Sequence, residues 1–178
     1  MLNKHNLAVA DFAGKDGRTS PHVRITPTET IATNGHYLVR VSAIPETPAQ
    51  PTDCSFQVDA DALKAIKVKK GDSVELSPNG TGETWNITTG TTSFHVKQES
   101  AQFPNVDAIM PKDEPTQVFG LKAEYLAKLA KAFAQFQPEA REPIVKVSVW
   151  SPERAIRLEA TNDQGQTMTA LLMPMRLK

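Results

Sequence analysis

Residues that could perform catalysis or hold a metal ion are few and widely spaced in this chain. The four histidines are scattered along the sequence, at His5, His22, His36 and His95. Cys54 is the only cysteine, so no set of side chains has the spacing of a metal site. Asp59 and Asp61 are better explained as the start of a helix than as an acid and base pair. The sequence shows neither a glycine-rich phosphate loop nor an activated nucleophile, and it therefore predicts a protein that is not an enzyme and uses no cofactor or metal.

The C-terminal end offers binding chemistry instead. Residues 171–177 read Leu-Leu-Met-Pro-Met-Arg-Leu. Methionine side chains are flexible and polarisable, and they suit a pocket that accepts several partners. Composition alone favours another interpretation, in which this segment is a terminal strand that packs its leucines and methionines into the core. Both interpretations remain open at this level.

A second candidate feature is the turn at Asn34 and Gly35, two residues that tolerate positive φ and predict a tight turn between strands. His36 follows directly. It is either a binding residue or a turn residue whose ring nitrogens find hydrogen-bond partners nearby.

Two proline-rich breaks divide the elements that would position these residues. Residues 45–53 and 111–116 read as loops, because proline interrupts both helices and central strands. The resulting blocks are 1–44, 54–110 and 117–178. We expect two domains. Residues 1–111 would contain two copies of a repeated structural unit, called a half-unit below, and residues 112–178 would contain a third copy.

The second and third blocks share a β-α-β-β-β order with a period of roughly 60 residues. In the second block the predicted strand, helix and three strands are 55–58, 59–68, 73–76, 85–88 and 92–97. In the third block they are 117–119, 121–136, 144–150, 155–160 and 167–174. The third-block helix is the best defined, because Leu121, Tyr125, Leu129 and Phe133 recur every four residues.

The first block is predicted to be the same unit with its front trimmed. A short helix is expected within 7–13. The predicted strands are 22–27, 30–32 and 38–43.

Charge and hydropathy limit the classes of function. Lys plus Arg equals Asp plus Glu, 20 each, so any contact with nucleic acid must come from local clusters of cations. The single cysteine, the absence of a secretion signal and the absence of a long apolar run together predict a cytoplasmic protein with no membrane contact.

Three strings resemble a known family when they are read in order along the chain. Residues 32–38, Ala-Thr-Asn-Gly-His-Tyr-Leu, resemble the Ala-Thr-Asp-Gly-His-Arg-Leu turn of the bacterial DNA sliding clamp, the DNA polymerase III beta subunit. Residues 103–111 resemble the Phe-Pro stretch that closes the middle domain of that clamp. Residues 173–177, Met-Pro-Met-Arg-Leu, resemble its C-terminus. The chain departs from the family at Asn34 and Tyr37, and it has three half-units where the family has six.

The resemblance implies an α+β fold of DNA-clamp-like repeated β-α-β-β-β half-units, with antiparallel sheets outside and helices on the inner face. It also implies a hydrophobic cleft that docks peptides of polymerase or repair proteins. Carried over residue by residue, the cleft would be lined by Thr33, Gly35, His36, Tyr37, Leu38, Pro104, Ile109, Leu171, Met173, Pro174, Met175 and Arg176.

The resemblance further implies a lysine-bearing inner wall that faces double-stranded DNA without sequence specificity. The candidate DNA-facing residues are Lys64, Lys67, Lys69, Lys70, Lys122, Lys128, Lys131, Lys15 and Arg18, with Lys4 as a further contributor. Twelve half-units close the family ring, so three per chain predict a homo-oligomer of four chains, a tetrameric ring.

The expected function is therefore that of a sliding clamp, a processivity factor in DNA replication. Two alternatives remain at the level of sequence. The chain could be a clamp mimic, a decoy or adaptor that binds clamp-docking peptides without encircling DNA. It could also be an accessory or structural repeat protein in which the cleft residues are core.

Overall fold

All strand pairs are antiparallel among the residues that the computed structural model describes, which are 1–15, 21–45, 55–80 and 82–177. The chain divides into unit 1, Met1–Ile109, and unit 2, Met110–Lys178, a division two residues before the predicted one. Sheets and helices are both present, and the predicted α+β class with repeated clamp-like half-units is confirmed. No helix among the described residues has the length and apolar character needed to cross a bilayer.

Unit 1 contains two half-units, each with an opening strand, a short helix and three further strands. The first comprises β1 (Leu2–Asn3), α1 (Lys4–Ala8), a 3-10 helix (Val9–Phe12), β2 (His22–Ile25), β3 (Glu29–Thr33) and β4 (Leu38–Ser42). The second comprises β5 (Phe56–Asp59), α2 (Ala60–Lys64), β6 (Ser73–Asn79), β7 (Thr84–Thr89), β8 (Thr92–Lys97) and the short α3 (Val106–Ile109).

Unit 2 contains a third half-unit. Its elements are α4 (Ala123–Phe136), β9 (Lys146–Ser148), β10 (Ile156–Thr161) and β11 (Thr167–Leu172). The apolar stripe of α4 packs through Phe133 against Leu158 and Leu172 of the sheet.

The two half-units of unit 1 exchange their opening strands. The sheet orders are β1-β6-β7-β8 and β4-β3-β2-β5. Strand β1 of the first half-unit therefore joins the sheet of the second, where Leu2 lies opposite Val74. Strand β5 of the second half-unit joins the sheet of the first, where Val58 lies opposite Val23. All four side chains are fully buried in one core, where burial of each contributes roughly 1.5–3 kcal/mol.

The core of unit 1 also holds a polar side chain, Asn6. Its amide donates to the backbone oxygen of Val41 at 3.0 Å and to that of Ser42 at 3.3 Å, and its Oδ1 accepts the Asn3 N–H at 2.9 Å. The Thr30 hydroxyl donates to the Asn6 carbonyl at 2.8 Å. These bonds tie α1 to β3 and β4, because a buried amide must find partners within the protein.

Several sequence predictions of element bounds were wrong. The first half-unit keeps its opening strand, and its helix begins at Lys4 rather than residue 7, because Asn3 and Asn6 form a reciprocal capping box. Helix α2 ends at Lys64 rather than residue 68. The Ile66 N–H donates to the Leu63 carbonyl at 3.0 Å, and this tighter turn buries Ile66 and leads the chain away from the helix.

Two further bounds in unit 2 were wrong. Residues 117–119 form no strand, and the only pairing near them is an isolated antiparallel bridge between Gly120 and Met175 within the described part of the chain. The strand predicted over 144–150 is reduced to Lys146–Ser148.

We expect Asn6→Ala to lower the free energy of unfolding by about 2–3 kcal/mol, because it leaves buried carbonyl and N–H groups without their partner. Urea denaturation measures this change. The exposed Asn79→Ala serves as the matched control and should change stability by less than about 0.5 kcal/mol. Equal effects of the two substitutions would contradict the structural role of Asn6.

Candidate peptide-docking site

The turn that joins β3 to β4 is fixed by side chains of its own residues. The Thr33 hydroxyl donates to the Tyr37 carbonyl at 2.7 Å and accepts the Gly35 N–H at 3.1 Å. Asn34 Oδ1 accepts the N–H groups of His36 and Tyr37 at 3.0 and 3.1 Å. Gly35 has φ +86°, a left-handed conformation that glycine adopts without strain. The predicted turn is present, and its backbone is held rigidly.

The hydrogen bonds of Asn34 explain why this residue can replace the aspartate of the Ala-Thr-Asp-Gly-His-Arg-Leu turn. The side chain acts in this turn as an acceptor through Oδ1, and a carboxylate oxygen would serve equally well. The departure at this position therefore preserves the turn geometry.

The turn presents its side chains to solvent. His36 and Tyr37 are exposed, Leu38 is partly buried and Thr33 is buried beneath them. The Tyr37 ring meets Phe12 edge-on, with 6.0 Å between ring centroids. This contact orients an aromatic group, a residue type that anchors many protein interfaces.

The predicted Phe-Pro stretch also lies in unit 1 and includes α3. Val106 is buried, whereas Pro104 and Ile109 are exposed. Asn105 Oδ1 accepts the Ala108 N–H at 3.3 Å and helps to begin this single helical turn. Two predicted cleft residues are thus available on the surface of unit 1.

The C-terminal segment of unit 2 leaves the core immediately after Leu172. That leucine is buried, but Met173 is 62% exposed and Met175 is 54% exposed, and Leu171 is exposed on the opposite face of β11. The segment is nevertheless anchored, because the Met175 N–H donates to the Gly120 carbonyl at 2.8 Å. These methionines lie at the surface, in contrast with the interpretation that packs them into the core.

The anchored segment forms one wall of a groove of about 480 Å³ within unit 2. The residues that line it are Val118, Phe119, Pro152, Glu153, Pro174, Met175, Arg176 and Leu177. Pro174, Met175 and Arg176 were predicted from the sequence as cleft residues. The other five were missed. Residues 117–119 were interpreted as a strand, residues 152–153 carry no motif, and Leu177 was left out of the predicted cleft although it ends the Met-Pro-Met-Arg-Leu string.

Gly120 allows the close approach that shapes this groove. A Cβ atom at this position would lie 2.9 Å from Leu177 Cδ2 and 3.1 Å from the Met175 carbonyl oxygen. A side chain at this position would require the Leu177 side chain and the Met175 backbone to shift by a few tenths of an ångström, so glycine favours the close approach of the C-terminal segment to the chain before α4. The turn belongs to unit 1 and the groove to unit 2, so their meeting in one cleft stays a prediction.

The candidate DNA-facing lysines differ in their surroundings. Lys67, Lys69 and Lys70 follow the end of α2, so the predicted helix over 59–68 is wrong at Lys67, and the DNA-facing role of all three stays a prediction. Lys122, which precedes α4, lies 3.4 Å from the Glu124 carboxylate and 4.5 Å from the centre of the Tyr125 ring, and Lys128 lies 3.4 Å from the same carboxylate. The described ion pairs do not include Lys131.

Lys64 is also ion-paired. It donates to Asp61 at 2.9 Å, and this hydrogen bond, together with the charges of Lys64 and Lys15, lowers the pKa of Asp61 below its ordinary value. Asp61 therefore stays ionised and offsets the positive charge at this end of α2. Lys4 and Lys64 line a groove between α1 and α2 that also contains Asp11. Arg18 lies outside the described residues.

A metal site does not emerge from the fold of the described segments. Within residues 1–15, 21–45, 55–80 and 82–177, no three His, Cys, Asp or Glu side chains come close enough together to hold an ion.

The roles of Asn34 can be separated by two substitutions. Asn34→Asp should keep the turn, since the acceptor oxygen remains, whereas Asn34→Ala should lower stability by about 1 kcal/mol because two N–H groups lose their acceptor. Thermal unfolding of both variants beside the unchanged protein measures the difference. Equal losses for Asp and Ala would contradict the acceptor role.

Comparison with known proteins gives matches in structure alone. No protein-family model and no curated protein sequence matches the chain. A sliding clamp from Bacillus subtilis matches with a TM-score of 0.69 and 16% identity, over 95% of this chain and 46% of that one. A sliding clamp from Pseudomonas aeruginosa matches with a TM-score of 0.72 and 15% identity, over 97% and 50%.

A second structure of the clamp from Pseudomonas aeruginosa, bound to griselimycin, gives a TM-score of 0.71 at 15% identity, over 93% of this chain and 45% of that one. The chain thus spans about half the length of the structures that it matches. It has the fold of the bacterial DNA polymerase III beta sliding clamp over the part of that protein that it matches.

Proposed function

We propose that this chain is a non-catalytic, sliding-clamp-like protein that docks short peptides of polymerase or repair proteins and associates with double-stranded DNA without sequence specificity. The observation that carries the proposal is the exposed, anchored methionine segment beside a groove in unit 2. The rigid turn with Tyr37 supports it, because a preorganised surface loses little conformational entropy when a peptide binds. The clamp of similar fold that binds griselimycin gives further support for a ligand-binding role.

The strength of such docking follows from its apolar anchors. Burial of a Leu or Phe anchor contributes roughly 1.5–3 kcal/mol, so two anchors give roughly 3–6 kcal/mol. A micromolar complex requires about 8 kcal/mol. Hydrogen bonds from a peptide glutamine and backbone must supply the remainder. We therefore propose weak, exchangeable binding, which suits a protein that serves several partners in turn.

The DNA-binding part of the proposal rests on local cations in a chain without net charge. Lys131, Lys67, Lys69 and Lys70 take part in none of the ion pairs of the described residues, and they are the best candidates for phosphate contacts. A diffuse field of this kind suits movement along DNA better than sequence-specific recognition. Closure into a ring of four chains, as the half-unit count suggests, remains part of the same proposal.

A second candidate function is favoured by the ion pairs. Glu124 lies within 3.4 Å of both Lys122 and Lys128, and Asp61 pairs with Lys64, so three candidate DNA-facing lysines already have a carboxylate partner. A clamp mimic that binds docking peptides as a decoy or adaptor, without encircling DNA, would need no free cations there.

We expect Met173→Ala with Met175→Ala to weaken binding of a fluorescent clamp-docking peptide at least tenfold, which corresponds to about 1.4 kcal/mol, with little change in melting temperature because both side chains are exposed. Met168→Ala is the matched control. Met168 packs against the core of unit 2 and does not line the groove, so its loss should lower the melting temperature and leave peptide affinity unchanged.

No detectable peptide binding by the unchanged protein would refute the docking role. A pair of methionine substitutions that only lowers stability would do the same.

The proposed DNA contacts predict that Lys67→Glu with Lys131→Glu weakens association with double-stranded DNA at low salt, because both lysines are exposed and outside the ion pairs of the described residues. The plot of log affinity against log salt should lose a slope of about 2, since each phosphate contact contributes about 0.9. Lys97→Glu with Lys112→Glu changes net charge equally outside the candidate set and serves as the control. If the unchanged protein shows no binding to DNA at low salt but binds the peptide, the clamp-mimic function is correct.

A further inference from the structure

The three half-units share one backbone arrangement at their start. In each, an opening residue is hydrogen-bonded to a residue that follows the last strand of the same half-unit. The bonds run from the N–H of Ile44 to the carbonyl of Met1 at 2.9 Å, from Glu99 to Gln57 at 2.9 Å and from Met175 to Gly120 at 2.8 Å.

The spacing to the helix is also the same. Helices α1, α2 and α4 begin at Lys4, Ala60 and Ala123, three residues after the opening residue in every case (1 to 4, 57 to 60, 120 to 123). The residue directly after the opening residue is apolar each time: Leu2, Val58 and Leu121. Unit 2 therefore possesses the same opening segment as each half of unit 1.

In unit 1 this segment bridges to the other half-unit. Leu2 lies opposite Val74 of β6, and Val58 lies opposite Val23 of β2. Each accepting strand is the first strand after a helix, and the paired residue is its second residue. As a result, Val23 and Val74 are both 0% exposed.

In unit 2, among the described residues, the opening segment pairs with no strand of another half-unit, and β9 receives no opening segment. Strand β9 is the edge of the sheet β11-β10-β9 and pairs only with β10 within the described chain. Val147 lies opposite the buried Leu158 and so faces the core side, yet it is 58% exposed. Val149, which directly follows β9, is also exposed. The core of unit 2 is open at the place where unit 1 is closed by an exchanged strand.

Helix α4 shows the same incompleteness. In unit 1, α1 and α2 pack together and bury Leu7 and Leu63. On α4, Tyr125 and Leu126 are exposed in the first two turns, and the helix is well buried only near Phe133. An edge strand and a helix face that are both apolar and uncovered mark an interaction surface.

We propose that unit 2 is one half of a domain that unit 2 of a second copy of this chain completes by reciprocal strand exchange. The segment 119–122 of each copy pairs with β9 of the other, and the register of unit 1 places Leu121 opposite Val147. A second copy is the fitting occupant, because each copy offers both the opening segment and the open strand edge that the other lacks. Such a self-complementary surface generates a two-fold interface.

This inference stands on the geometry of the half-units and does not depend on peptide or DNA binding. It also restricts the assembly, because every unit 2 requires one partner and only even numbers of chains satisfy all of them. A ring of four chains meets this condition and a ring of three does not.

Solution mass, measured by light scattering or native mass spectrometry on the full chain, tests the interface. We expect the unchanged protein at micromolar concentration to show an even multiple of 19.5 kDa. Val147→Glu should halve that mass, because a carboxylate cannot be buried in the shared core. The side chain is already exposed in the single chain, so circular dichroism should remain unchanged.

The matched control places the same charge elsewhere on the same sheet. Thr169→Glu lies on an exposed position of β11, away from the open edge, and should leave the mass unchanged. A monomeric unchanged protein, or equal masses for Val147→Glu and the unchanged protein, would overturn the inference. The mass measurement uses neither peptide nor DNA, so its outcome is separate from that of the proposed function.

Disulfide formation tests the register directly. Two versions are prepared in a Cys54→Ser background, one with Leu121→Cys and one with Val147→Cys. Oxidation of the mixture should yield a covalent dimer on a non-reducing gel, while neither version alone should, because the bond joins residue 121 of one copy to residue 147 of another. A mixture that stays monomeric on the gel would overturn the proposed pairing. In the mass measurement, binding of a different protein in place of a second copy would also overturn it.

Discussion

The structure depends on the exchange of opening strands between half-units. A half-unit by itself has a three-stranded sheet and one amphipathic helix, which cover each other on one side only. In unit 1 the exchange places Leu2 against Val74 and Val58 against Val23, and it closes a single core from two incomplete halves. The closing contacts join residues far apart in sequence, and forming them therefore costs chain entropy. The burial of apolar surface in the shared core offsets this cost. The open edge of unit 2 is the same arrangement without its second half.

The candidate binding features share a different physical property. They are exposed side chains on backbone that is held by nearby hydrogen bonds. Asn34 and Thr33 fix the turn from within, while Gly120 holds the C-terminal segment through Met175. Rigid backbone beneath flexible methionines combines a small entropic cost of binding with tolerance of different partners. These two properties are the physical basis of the proposed docking of short, exchangeable peptides.

The charges of the chain act locally. Basic and acidic residues balance, and acidic neighbours already lie beside Lys64, Lys122 and Lys128. Such exposed pairs contribute little to stability, but they reduce the positive potential of the surfaces that carry them. The balance between paired and unpaired lysines is the feature that separates a DNA-associated protein from a clamp mimic of the same fold.

The sequence by itself determined the local features of this protein. Helical spacing located α4, Asn34 and Gly35 located the turn, and the order of strands with three short strings indicated the clamp fold. Only the tertiary structure decided that a two-residue strand, Leu2–Asn3, opens the chain, that α2 stops at Lys64, and that Val118 and Phe119 line the groove. The reason is that a strand of two residues has no periodicity to detect. Its existence is decided by a partner strand about 70 residues away in sequence, and pairing over such a distance leaves no local pattern.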